Sequence, residues 1–187
     1  MRLISLKYNQ RGTTLLEVLV TIAILAVGLL GLAGLQSRLQ VSEMESYQRA
    51  QALILLDDMA SRIATNRSDA ASYVTANSLG AGMICPTAFA TQNDKDIKEW
   101  CNALQGSAEK ISASNVGAMV GGRGCVESIG SNKYMVTVAW QGLVPISSPP
   151  TSVSCGKDNY NSSIVGAPCV NDLCRRVVTT IVQIATL

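Results

Sequence analysis

The chain has 187 residues and a mass of 19.7 kDa, enough for one ordinary domain with an appendage. Hydrophobic residues make up 48% and charged residues 15%, with a mean hydropathy of +0.24, which excludes a disordered chain and a nucleic-acid binder that works by neutralising phosphates. Aromatics at 4% leave no platform for base stacking, and the absence of histidine excludes Ser-His-Asp and Cys-His hydrolysis, histidine metal sites and imidazole acid–base work. The net charge of +2 is uneven. Residues 1–12 carry Arg2, Lys7 and Arg11 and no acid, so the remaining 175 residues sum to +2 less +3, or −1. A basic tip on a nearly neutral body marks a targeting or membrane-orienting segment.

From Val18 through Ser37 no charge occurs, and almost every residue is apolar. Those 20 residues would span about 30 Å as a helix, the thickness of a bilayer's hydrocarbon core. A secretory signal would have a shorter apolar core and would be cut after small residues such as Gly31-Leu32-Ala33. Here the run continues without a turn signal into another helical pattern. The expectation is a retained anchor with its basic N-terminus in the cytoplasm. Glu17 heads the run. Either it reaches water at the interface, near the positive end of the helix dipole, or it needs a cation supplied by another chain.

Beyond Gln36 the pattern turns amphipathic, with Ala52, Leu53, Leu56, Met59, Ala60 and Ile63 on one face and Glu43, Asp58 and Arg62 largely opposite. Asn66-Arg67-Ser68 supplies the stop. The spacing predicts a helix over 13–65, about 80 Å long, its first half in lipid or among other helices and its second half against a globular head. Residues 66–125 read as a connecting region with one short packing helix, Asp94 to Gln105, where Ile97, Trp100, Cys101 and Leu104 share a face. Gly117 to Gly124 lacks the strand and the Lys-Ser/Thr ending of a phosphate-binding loop and reads as a turn. Three late strands are predicted: Cys125 to Ile129, Lys133 to Trp140 with Tyr134, Val136, Val138 and Trp140 on one face, and Arg176 to Ile184. The first two are a hairpin apart across Gly130-Ser131-Asn132. Pro145 to Asp172 reads as a long surface loop. A long helix followed by a small antiparallel sheet makes an α+β head, 66–187.

Six cysteines, Cys85, Cys101, Cys125, Cys155, Cys169 and Cys174, all follow the long helix. An even number confined to the exported part predicts three disulfides. Zinc and thioredoxin-like chemistry are disfavoured, because there is neither a histidine nor a CxxC pair. Cys85–Cys101 would brace the short helix to its loop. Cys125 with Cys174 at one end of the sheet, and Cys155 with Cys169 closing the long loop, complete the expected set.

Gln10-Arg11-Gly12 followed by Thr13-Thr14-Leu15-Leu16-Glu17-Val18-Leu19-Val20 resembles the class III signal of type IV pilins and pseudopilins: a basic leader ending in glycine, an apolar helix, and a glutamate at the fifth mature position. Two further stretches, Leu25 to Gln36 and Ala52 to Asn66, resemble PilV-type minor pilins. The resemblance implies that 1–12 is a leader removed by prepilin peptidase between Gly12 and Thr13, with N-methylation of Thr13 and Glu17 registering neighbouring subunits. It departs from the family pattern in one place, since Thr13 stands where Phe is usual. It implies a pilin-like α+β fold, with 18–37 as transmembrane and assembly segment, and a non-catalytic subunit without cofactor. The implied partners are prepilin peptidase, other minor pilins, the major pilin and the inner-membrane assembly platform. The implied course is insertion in a bacterial inner membrane with a periplasmic head, then display on a surface pilus, promoting assembly, motility and attachment. Two other readings stand beside it: a minor pseudopilin of type II secretion, and an anchored extracellular enzyme using Asp94, Asp96 and Glu99, which otherwise read as an ordinary solvated helix face.

Overall fold

A computed structural model of the chain describes residues 14–107, 110–111, 114–115, 117 and 119–185. The expected leader, with Gly12 and Thr13, lies outside the described residues. Helix α1 spans Leu15–Thr65. It contains no proline, the residue that would break the i to i−4 ladder. At its start Thr14 acts as cap: the Glu17 backbone N–H donates to Thr14 O at 2.9 Å and to Thr14 Oγ1 at 3.4 Å. The helix gives way to a 3-10 helix over Arg67–Tyr73, itself kinked at Asp69.

The chain forms two compact units that divide between Ser42 and Glu43. In the first, every residue from 14 to 40 is exposed. In the second, Gln48, Ala52, Leu56, Met59 and Ile63 of α1 turn inward at steps of three and four and enter a core. Leu53, expected on that face, is 46% exposed, because one residue past Ala52 carries it about 100° around the helix. Ile97 packs against the core from the partly buried side.

The core's other wall is a four-stranded antiparallel sheet in the order β1-β4-β5-β6: Leu79–Gly80, Arg123–Gly130, Lys133–Gln141 and Arg175–Gln183. Strands β2, Lys110–Ile111, and β3, Ser114–Asn115, form a separate small ladder. The hairpin between β4 and β5 turns through Ser131 and Asn132, with Asn132 at φ 55°, a left-handed conformation that asparagine tolerates. Tyr134, Val136, Val138 and Trp140 are buried on the face toward α1, as the alternation predicts. β1 escaped prediction because a two-residue strand shows no alternation; its pairing with Gly124 and Arg123 exists only in three dimensions.

Helix α2, Gln92–Leu104, starts on a capping box in which Thr91 and Asp94 exchange side-chain and backbone bonds. It packs so closely on β4 that a Cβ at Gly124 would lie 2.3 Å from the Trp100 ring, and glycine is the residue that permits this approach. The Trp100 indole N–H donates to Leu55 O on α1 at 2.8 Å.

Three disulfides close the head: Cys85–Cys101, Cys125–Cys155 and Cys169–Cys174. The first matches expectation; the expected Cys125–Cys174 and Cys155–Cys169 pairs do not form. Cys125 lies on β4 and Cys174 directly precedes β6, and β5 runs between those strands. Two strand spacings, about 10 Å, exceed the roughly 7 Å that a bridge can span. The long loop also differs from expectation. Its Cys155 and Tyr160 are buried with Cys125 and Ala139 on the sheet face away from α1, so 145–172 covers a second small core as well as facing solvent. Arg175 holds it there, donating to Val153 O at 2.8 Å and Cys155 O at 3.0 Å, and the Tyr160 hydroxyl donates to Gly121 O at 2.9 Å.

Candidate functional site

The first turns of α1 place Glu17 among apolar neighbours. Leu15 is 84% exposed and Leu16 72%, and no large apolar side chain of this stretch is buried. A helix can present such a surface to lipid because its backbone groups are bonded internally, and Thr21 obeys the same rule, its hydroxyl donating to Val18 O at 2.8 Å. Glu17 lies in the first turn, where the helix dipole favours a carboxylate. Further along, Gly28, Gly31 and Gly34 share one side of the helix, and a Cβ at any of them would meet nothing within 4 Å. Among the described residues α1 is the one helix long and apolar enough to cross a membrane.

In the head the strongest polar cluster centres on Arg62. Its Nε bonds both oxygens of Asp58 at 3.0 Å, and its Nη1 donates to Asp96 and to Glu99 at 2.8 Å each. Asp96 also accepts from the Tyr73 hydroxyl and from Gln92 Nε2, while Asn66 Nδ2 donates to Tyr73 at 3.2 Å. These groups join α1, the 3-10 helix and α2, beside a cavity of about 270 Å³ lined by Asp58, Ser61, Arg62, Thr65, Asn66, Gln92 and Asp96. Partial burial works to lower the Arg62 pKa, but the bonds to Glu99, Asp58 and Asp96 outweigh it and hold it above its ordinary value. Burial, and then the bond to Asp96, push Tyr73 up to about 12 against the opposing effects of Asn66 and Arg62.

The three carboxylates weighed for catalysis are thus not alike, and they are not a plain solvated face. Asp96 is 4% exposed and ligated by three side chains; Glu99 is outward but paired with Arg62; Asp94 is the capping-box acid, held below its usual pKa by its bonds from Thr91. A general acid or base needs a proton it can exchange with substrate, and each of the three has at least one oxygen engaged within the fold. Arg62 and Asp58 stand four residues apart and were readable as a helix pair, whereas Asp96 and Tyr73 reach them only through folding. All six cysteines are paired, and among the described residues no three Asp, Glu, His or Cys side chains gather as metal ligands.

Residues 7–33 match the family model of the prokaryotic N-terminal methylation motif. No curated protein and no solved structure matches the chain. The matched motif is the class III prepilin signal; with the apolar helix that follows, it supports a type IV pilin or pseudopilin-like protein, anchored in a membrane by one N-terminal helix, and implies a structural subunit rather than an enzyme. Processing by prepilin peptidase and assembly with other pilins in a membrane complex follow from the same signal.

Proposed function

We propose that this chain is a non-catalytic minor pilin of the PilV type, cut between Gly12 and Thr13 and incorporated into a type IV pilus at its tip or initiation complex. The reading is carried by the methylation motif over 7–33 leading directly into a helix whose described residues up to 40 are all exposed. Cleavage after Gly12 frees an α-amino group that is mostly cationic at neutral pH, with a pKa near 8. That amine pairs with Glu17 of a neighbouring subunit and sets axial register, while apolar packing supplies most of the lateral attraction. Methylation at Thr13 keeps the amine basic. Residues 18–37 hold the subunit in the inner membrane with the N-terminus cytoplasmic and the head periplasmic until assembly draws it into the filament. Partners on this reading are prepilin peptidase, the other minor pilins, the major pilin and the inner-membrane assembly platform. The same start serves a minor pseudopilin of type II secretion, and the place of the mature chain separates the two.

N-terminal sequencing and intact mass of the chain recovered from sheared pili test the proposal. The expected product starts at Thr13 and carries one added methyl group. Gly12→Ala is expected to leave an uncut, unassembled precursor, and Glu17→Ala to be cut yet poorly incorporated. A mature chain beginning at Met1, normal processing of Gly12→Ala, or absence from pili would each overturn it.

A further inference from the structure

A second polar pocket, of about 230 Å³, lies on the head against the Cys125–Cys155 bridge. It is lined by the segment Thr75 to Ser78, by Ser154 to Lys157 and Asn159 of the long loop, and by Glu127 of β4. The walls are built rather than incidental. Thr75 clamps β4 with its N–H donating to Val126 O at 2.9 Å and its hydroxyl accepting from Val126 N at 3.1 Å, and the disulfide ties the loop to the same strand.

The lining carries uncommitted polar groups. Glu127 Oε1 accepts from the Ser154 hydroxyl, but Glu127 Oε2 is buried with no hydrogen-bond partner. A buried carboxylate oxygen left unpaired is costly, so a donor belongs beside it. Asn77, Ser78 and Lys157 line the same pocket, and none of their side chains makes a hydrogen bond or ion pair within the described residues. An inorganic anion here would face Glu127. A metal ion would face Lys157 with only one carboxylate to hold it. An apolar ligand would leave Glu127 Oε2 unpaired. A hydroxyl both donates and accepts, so it satisfies carboxylate, amide, hydroxyl and ammonium alike. The volume falls below the roughly 300–1,000 Å³ of sites for drug-sized ligands, which limits the occupant to about one ring.

We propose that this pocket binds one neutral, multiply hydroxylated ring of the monosaccharide class, with Glu127 accepting a hydroxyl hydrogen and Asn77, Ser78 and Lys157 completing the contacts. The inference goes beyond the pilin reading and does not depend on it. Pre-formed walls reduce the ordering cost of binding, as a small ligand requires.

The test uses the full-length chain in a detergent without a sugar headgroup, and saturation-transfer NMR with a panel of hexoses and N-acetylhexosamines, glycine and calcium serving as comparisons. At least one monosaccharide is expected to bind, and Glu127→Gln and Asn77→Ala to weaken it about tenfold or more without lowering the thermal midpoint. If Glu127→Gln fails to fold, Asn77→Ala at its exposed position carries the test. Competition between the free sugar and an oligosaccharide ending in it then distinguishes a soluble ligand from a surface glycan, both being the chemistry proposed. Binding by no sugar of the panel, binding by both variants as tight as the wild type's, or binding of glycine or calcium in place of sugar would overturn the proposal.

Discussion

Tyr73 and Asp96 are both buried, and the Tyr73 hydroxyl donates to Asp96 Oδ2 while Arg62 and Gln92 donate to Asp96 Oδ1. Removing the hydroxyl leaves a buried carboxylate oxygen short of a donor. Tyr73→Phe is therefore expected to cost about 1.5–3 kcal/mol, the range for bonds to charged groups, measured by urea unfolding near neutral pH. The same pair sets a pH dependence. The hydroxyl's ordinary pKa is 10.0 and the folded value is raised to about 12. Its contribution is present in full below pH 10.0 and is lost as the pH rises toward 12, because the unfolded chain ionises first. Stability measured across that window should fall for the wild type and fall less for Tyr73→Phe. Tyr160, also raised by burial, adds to the slope in the same direction. A wild type and Tyr73→Phe with the same slope would show that burial and the bond to Asp96 do not hold the proton on Tyr73.

Helix α2 is an element whose own sequence says helix, from its capping box and its Ile97, Trp100, Cys101 and Leu104 face, but whose position depends on covalent and polar ties. Cys101 bridges to Cys85 sixteen residues earlier, and Asp96 and Glu99 reach Arg62 on α1. Closing a loop of that length in the unfolded chain is worth about 3 kcal/mol. The double variant Cys85→Ala/Cys101→Ala should lose about that much, with a lower denaturation midpoint, while the Cys169–Cys174 bridge, closing only five residues, should matter less when removed in the same way. Equal losses would point to native contacts rather than loop length as the source. Cys85–Cys101 was legible because a helix and its preceding loop are neighbours in the chain. The partner of Cys125 was not, since it depends on which face of β4 the long loop covers.

At the scale of the whole molecule, the buried residues among those described all lie in one of the two units. The described residues up to 40 are all exposed, whereas the unit from Glu43 onward contains every residue of the two apolar cores. A fragment starting at Glu43 and secreted to the periplasm is expected to be soluble and to hold all three disulfides, as judged by thiol titration and circular dichroism. The full-length chain is expected to partition into membranes. A fragment that aggregates with free thiols would show that the head needs the preceding helix to fold.

What the amino-acid order alone determined is what depends on contiguous residues: a basic tip, a charge-free span of bilayer length, an acid at a set distance from a glycine, the long helix, and three strands, the middle one legible from its alternation. Partition into lipid, recognition of a signal segment and helix or strand periodicity are all local, so they can be read along the chain. Tertiary structure decided the rest. It chose Asp96 and Tyr73 as companions of Arg62, set Cys155 rather than Cys174 against Cys125, added β1 at the sheet edge, and folded the loop over the second sheet face beside the Glu127 pocket. Those pairings join residues tens of positions apart, and only the packing of α1, α2 and the loop around one sheet brings them within bonding distance.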